Sequence, residues 1–125
     1  MPPLIRSAKK VFIANTGADA PSWIFFRYTE MPNEPYQSLY AAMSAWGHFT
    51  LVDDPLQADL VAEIHFHADG QYASLGLSLL DAKTHFTVWT LMQPVDSAFR
   101  KATWRKNYLA GINGLIEQLK QITSA

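Results

Sequence analysis

The 125-residue chain contains no cysteine. That single absence removes disulfides, thiolate metal sites and a thiol nucleophile, so the fold must be held by packing. It does not fix the compartment, because domains without cysteine occur on both sides of the membrane. An excess of one charge is also missing: ten Lys and Arg stand against eleven Asp and Glu, for a net charge of -1. The electrostatic footprint of non-specific nucleic-acid binding is therefore lacking, and no nucleic-acid partner is expected. No stretch approaches the roughly 20 consecutive apolar residues of a transmembrane helix. The opening Met1-Pro2-Pro3-Leu4-Ile5-Arg6 has neither a long apolar core nor a small-residue cleavage site, so it does not read as a signal peptide.

What is present is enough apolar material, 49% of residues, for one domain spanning 1–125 with a real core. Lys9-Lys10-Val11-Phe12-Ile13-Ala14-Asn15 is a short apolar run ahead of Thr16-Gly17, which predicts a largely buried first strand ending in a turn. Pro21, Pro32 and Pro35 punctuate the next segment, within which Trp23-Ile24-Phe25-Phe26-Arg27-Tyr28 is too apolar to stand in water and is expected to cap the sheet or add an edge strand. Tyr36, Leu39, Tyr40, Met43 and Trp46 have the three-and-four spacing of an amphipathic helix, with Gly47 beyond its end. A short strand at Phe49 to Val52 and one helical turn at Pro55 to Ala58, capped by Asp53-Asp54, come next.

From Leu60 the period changes to two. Leu60, Ala62, Ile64 and Phe66 fall on one side of a strand, with Val61, Glu63, His65 and His67 on the other. Leu75, Leu77 and Leu79, then Phe86, Val88, Thr90 and Met92, mark two further strands joined as a hairpin, with Trp89 and Leu91 on the opposite face of the second. Tyr108, Leu109, Ile112, Leu115, Ile116, Leu119 and Ile122 form one helical stripe. The expected architecture is α/β (α+β): a single mixed sheet of four to five strands with two helices packed on one face. The other face is expected to carry Trp89, His65 and His67.

Four stretches also carry a resemblance: Lys10 to Asn15, Tyr40 to Phe49, Asp54 to Val61, and Leu79 to Thr84 with Trp89. Together they resemble uncharacterised exported proteins of soil bacteria. More remotely they are similar to the small α/β domain of envelope lipoproteins: the curli-secretion lipoprotein, the outer-membrane activators of peptidoglycan synthases, and the amino-terminal domain of the Tol-system propeller protein. The resemblance covers nearly the whole chain and implies a periplasmic or secreted, non-enzymatic interaction domain. It carries over no catalytic residue. Those relatives often place glycine after Lys-Thr in the hairpin, where this chain has His85, and such a turn commonly demands a positive φ.

The chemistry-bearing residues are few. His65 and His67 share a strand face with Glu63, a candidate zinc set, yet one strand offers ligands in a line rather than around a point. Ser74, Ser78 and Thr90 lack a Gly-x-Ser-x-Gly elbow. Asn15-Thr16-Gly17-Ala18-Asp19 has one glycine and no following Gly-Lys-Ser/Thr, so phosphate binding is weakly supported. Arg100, Lys101, Arg105 and Lys106 around Trp104 read as a solvated helix end. No catalytic, cofactor-binding or metal-binding residue is assigned. The residues expected at a partner surface are Trp23, Phe25, Tyr28, His65, His67 and Trp89, serving a protein partner or a homodimer. The alternatives are a small metal-dependent enzyme or metal-binding protein centred on Glu63, His65 and His67, and a small apolar ligand carrier with a cavity beneath the proline-punctuated loop.

Overall fold

The computed structural model describes residues 3–19, 34–69, 72–96 and 100–124. Five strands, β1 (Lys10–Asp19), β2 (Thr50–Leu51), β3 (Leu60–Asp69), β4 (Tyr72–Asp81) and β5 (Thr87–Val95), form one sheet in the order β2-β1-β3-β4-β5. Among the described residues three helices accompany it: α1 (Pro3–Ser7), α2 (Glu34–Trp46) and α3 (Lys101–Ser124). β1 runs parallel to both β2 and β3, while β3, β4 and β5 form an antiparallel meander. The mixed sheet with helices on it is the architecture that the two periodicities predict. α1 is an addition, unreadable from five residues flanked by proline, although it seats a fully buried Ile5 in the core.

One alternation in each central strand builds the core. Leu60, Ala62, Ile64 and Phe66 of β3 and Leu75, Leu77 and Leu79 of β4 are buried beneath Leu39 and Met43 of α2 and Tyr108, Ile112, Leu115 and Leu119 of α3. Burying a side chain of this kind contributes about 1.5–3 kcal/mol. The ring of Tyr108 meets Phe66 edge-on with centroids 6.0 Å apart. Leu109, expected within the α3 stripe, is instead exposed, since it lies one residue round from Tyr108 at the stripe's edge.

The turns follow from particular residues. Gly47 has φ 74° and donates its N–H to the Met43 carbonyl at 3.1 Å, ending α2 in the left-handed cap that glycine favours. Asp54 caps the single 3-10 turn Pro55–Gln57 by accepting from the Leu56 N–H at 2.9 Å. His85 has φ 64°, the positive value that the hairpin demands where the resembling proteins carry glycine. Asp81 stabilises that turn by accepting from the Lys83 N–H at 2.8 Å.

Two local readings change. The strand does not stop at Asn15: β1 continues to Asp19, and its register against β3 passes from Asn15 opposite Ile64 to Ala18 opposite Phe66. Three steps on β1 match two on β3, so Thr16-Gly17 is a bulge rather than a turn, the place a strand glycine commonly marks. The solvated basic helix end is also more engaged than expected. Trp104 is buried, and Arg105 pairs with the buried carboxylate of Glu34, tying α3 to the start of α2.

Candidate functional site: the open sheet face

The described helices occupy one face of the sheet, and the register defines what the other presents. On β3 this face carries Val61, Glu63, His65 and His67. Directly opposite them on β4 stand Leu80, Ser78, Gly76 and Ser74, and opposite the last three on β5 stand Thr90, Met92 and Pro94. Rows therefore cross the sheet: Glu63, Ser78, Thr90; His65, Gly76, Met92; His67, Ser74, Pro94. Phe12 and Ala14 of β1, paired with Val61 and Glu63, extend the face toward the other edge. A depression of about 360 Å³ on this face is lined by Glu63, His65, His67, Ser74, Gly76, Ser78, Thr90 and Met92. His67, Thr90 and Met92 are exposed, while Glu63 and His65 are half-buried.

Gly76 shapes the middle of that depression. A Cβ built there would stand 3.3 Å from Met92 Sδ, so the sulfur leans over the glycine toward the row's other member, His65. Gly76 contributes no side chain of its own between His65 and Met92 in this row.

The expected site residues divide accordingly. His65 and His67 lie on the open face as the alternation predicts. Trp89 does not join them: it stands opposite Leu79, on the helix-covered side, and packs half-buried against the core. Its face was misread because Val88 is an extra residue in β5. The register steps from Leu80 opposite Thr87 to Leu79 opposite Trp89, which reverses the phase of the strand after Thr87. Both alternations of β5 carry apolar residues, so composition could not resolve the phase. Met92 and Thr90 take the place expected for Trp89; the glycine at 76, isolated in an alternating strand, was the available signal. Trp23, Phe25 and Tyr28 lie outside the described residues, as does the loop expected to roof a ligand cavity.

The zinc arrangement does not assemble. Glu63 and His67 stand at the two ends of a three-residue line, about 14 Å apart along β3, whereas zinc requires its nitrogen and oxygen ligands within about 2.2 Å of one centre. Among the described residues no three His, Asp, Glu or Cys side chains converge as a ligand set. Ser74 does stand directly opposite His67. Even so, the backbone N–H groups of β3 and β4 are committed to the ladders on either side, leaving none to stabilise an oxyanion there.

Elsewhere, Asp59 anchors the beginnings of β1 and β3. One carboxylate oxygen accepts from the Lys10 and Lys9 N–H groups at 3.0 and 2.9 Å, and these bonds hold the carboxyl below its ordinary range. Burial pushes the Tyr108 hydroxyl far above the usual tyrosine value, opposed by its bond to Ser38 Oγ at 3.5 Å. A second concavity, of about 350 Å³, is lined by Tyr36, Gln37, Tyr40 and Asp53, with the tyrosine ring centroids 6.0 Å apart. No described helix is long and apolar enough to cross a membrane.

No protein-family model and no curated protein matches the sequence. Solved structures do match. A PelC dodecamer from Paraburkholderia phytofirmans is similar with a TM-score of 0.59 at 15% identity, over 91% of this chain and 90% of that one. Protein XCC0632 from Xanthomonas campestris gives a TM-score of 0.58 at 14% identity, over 91% and 82%. The C-terminal domain of LpoB from Escherichia coli gives 0.56 at 14% identity, over 73% and 85%. Identities this low establish a shared fold and nothing finer. At that level the likeness to envelope lipoprotein domains, read from the sequence, is borne out.

Proposed function

We propose that this chain is a non-enzymatic binding or assembly domain of the bacterial cell envelope, placed in the periplasm or secreted, that meets a protein partner through the open face of its sheet. The observation carrying this reading is the asymmetry of the two faces. One is sealed by α2 and α3 over Phe66, Leu75 and Leu77. The other presents imidazole, thioether, hydroxyl and aliphatic groups with no described element over it, the mixed composition of an interaction surface. The fold likeness to envelope domains supports the compartment, and the dodecameric state of the PelC neighbour supports a second copy of the chain as one form the partner can take.

The test is a photo-reactive amino acid introduced at Ser78 or Thr90 on the open face, and at Ala41 on the exposed side of α2, with irradiation in the native cell. Adducts confined to the envelope fraction and to the sheet-face positions are expected, at twice the chain's mass for self-association or at the chain's mass plus that of one other protein. Ser78→Arg, which places a long cation at the centre of the face, abolishes the adduct formed from Thr90. Equal adducts from Ala41, or none from either sheet position, would rule the reading out.

A further inference from the structure

We infer that the row His65, Gly76, Met92 is a copper(I) site, with His67 as its third ligand. This goes beyond the docking role and does not depend on it. In an antiparallel ladder, directly opposite Cβ atoms lie about 4.5–5.5 Å apart, so the vacant Cβ position of Gly76 is that distance from His65 Cβ. Met92 Sδ already lies 3.3 Å from the same point. The imidazole of His65 therefore needs only a side-chain rotation to bring a ring nitrogen and the sulfur to opposite sides of one ion above Gly76. His67 is the next residue along this face of β3, and its imidazole borders the same depression.

The donor set selects the metal. A neutral thioether is a soft ligand that binds copper(I) and contributes little to zinc, calcium or magnesium sites, and imidazole suits copper equally well. Copper(I) is satisfied by two or three ligands converging on it, whereas structural zinc asks for four. The line that holds Glu63 and His67 too far apart to share an ion leaves His65, one interval of about 6.8 Å from His67, and Met92 across the ladder able to reach a common one. With Met92 exposed, the ion would sit at the surface and be open to exchange. Copper enters and leaves as copper(I), so no electron transfer is required.

The experiment is a competition for copper(I), under reducing and oxygen-free conditions, between the full chain and the chromophoric chelator bicinchoninate, read together with the ¹³C-methyl resonances of the chain's four methionines. One copper(I) per chain is expected to be retained, with a shift of the Met92 methyl. Met92→Leu and His65→Phe are each expected to weaken retention at least tenfold, and His67→Asn several-fold, without lowering the melting temperature. Gly76→Val provides the most selective variant: it fills the gap over the glycine with a good strand former and abolishes retention while leaving every ligand in place. The inference is overturned by the absence of stoichiometric retention, by unchanged binding in Met92→Leu or Gly76→Val, or by a methyl shift confined to Met1, Met31 or Met43.

Discussion

Two glycines on the sheet-facing side of α3 allow a quantitative check on how closely this helix approaches the strands. Replacing an interior helical glycine by alanine ordinarily stabilises by about 1 kcal/mol through helix propensity. At Gly111 the new Cβ would lie 2.9 Å from Val95 Cγ2 and 3.1 Å from Leu75 Cδ1, well inside the roughly 3.5–4.0 Å of a good carbon contact. Both neighbours are buried, Val95 at 4% and Leu75 at 0% exposure, and neither can swing away. Overpacking of this kind costs about 1–3 kcal/mol, so Gly111→Ala is expected to be destabilising by about 1 kcal/mol net, a fall of roughly 4 °C in melting temperature. At Gly114 the clash is with the amide end of Gln93, 2.6–2.9 Å away. That half-buried, flexible group can turn outward, losing the bond it accepts from Gln118 Nε2 at 2.9 Å, while Gln118 keeps its 3.0 Å bond to the Met92 carbonyl. The lost bond is worth about 1 kcal/mol and cancels the propensity gain, so Gly114→Ala should fall within about 0.5 kcal/mol of wild type. Urea unfolding followed by tryptophan fluorescence measures both. A stabilised Gly111→Ala would mean that α3 stands off the sheet, and would refute the packing described.

Further outcomes follow from the turns and ion pairs. His85→Gly removes the cost of a side chain at φ 64°, about 1–2 kcal/mol against a glycine entropy penalty of about 0.5–1; a net gain near 0.5 kcal/mol is expected from chemical denaturation. Arg105→Ala removes a charge-assisted bond from the Glu34 carboxylate, only 10% exposed, and should cost about 1.5–3 kcal/mol, whereas Glu34→Gln with Arg105 intact costs less. The bonds from the Lys10 and Lys9 N–H groups depress the folded pKa of Asp59. Its contribution is therefore present above the unfolded value of about 3.9 and fades as pH falls through the lower folded value. Urea midpoints measured from pH 6 to pH 2 should accordingly decline less steeply in Asp59→Asn than in wild type.

Most of the covered face was legible because burial imposes a period. Leu60 to Phe66 alternate without interruption, and Tyr108 to Leu119 repeat at helical spacing, so each segment has one arrangement that hides its apolar side. Legibility failed where two arrangements hide equally well. The segment 86–92 offers Phe86, Val88 and Met92 on one alternation and Trp89 and Leu91 on the other, and one bulge at Val88 decided between them. It also failed where the determinant is a partner distant in sequence: Glu34 reads as an ordinary helix-start acid until Arg105, 71 residues later, is brought against it. The bulge at Thr16-Gly17 resembled a turn for the related reason that glycine serves both. On the open face, the alternation correctly presented His65 and His67, but Met92 read as core because a thioether is hydrophobic by composition. Only the gap over Gly76 distinguishes a packed sulfur from a presented one.

The account rests on the open face being accessible to water and to partners, and the methionine methyls measure this directly. With ¹³C-methyl methionine incorporated, a soluble paramagnetic agent should broaden the Met92 resonance strongly and leave that of Met43, buried at 1% exposure, sharp. Equal protection of the two methyls would contradict the account, because it would place Met92 beneath cover and leave the sheet with no open face.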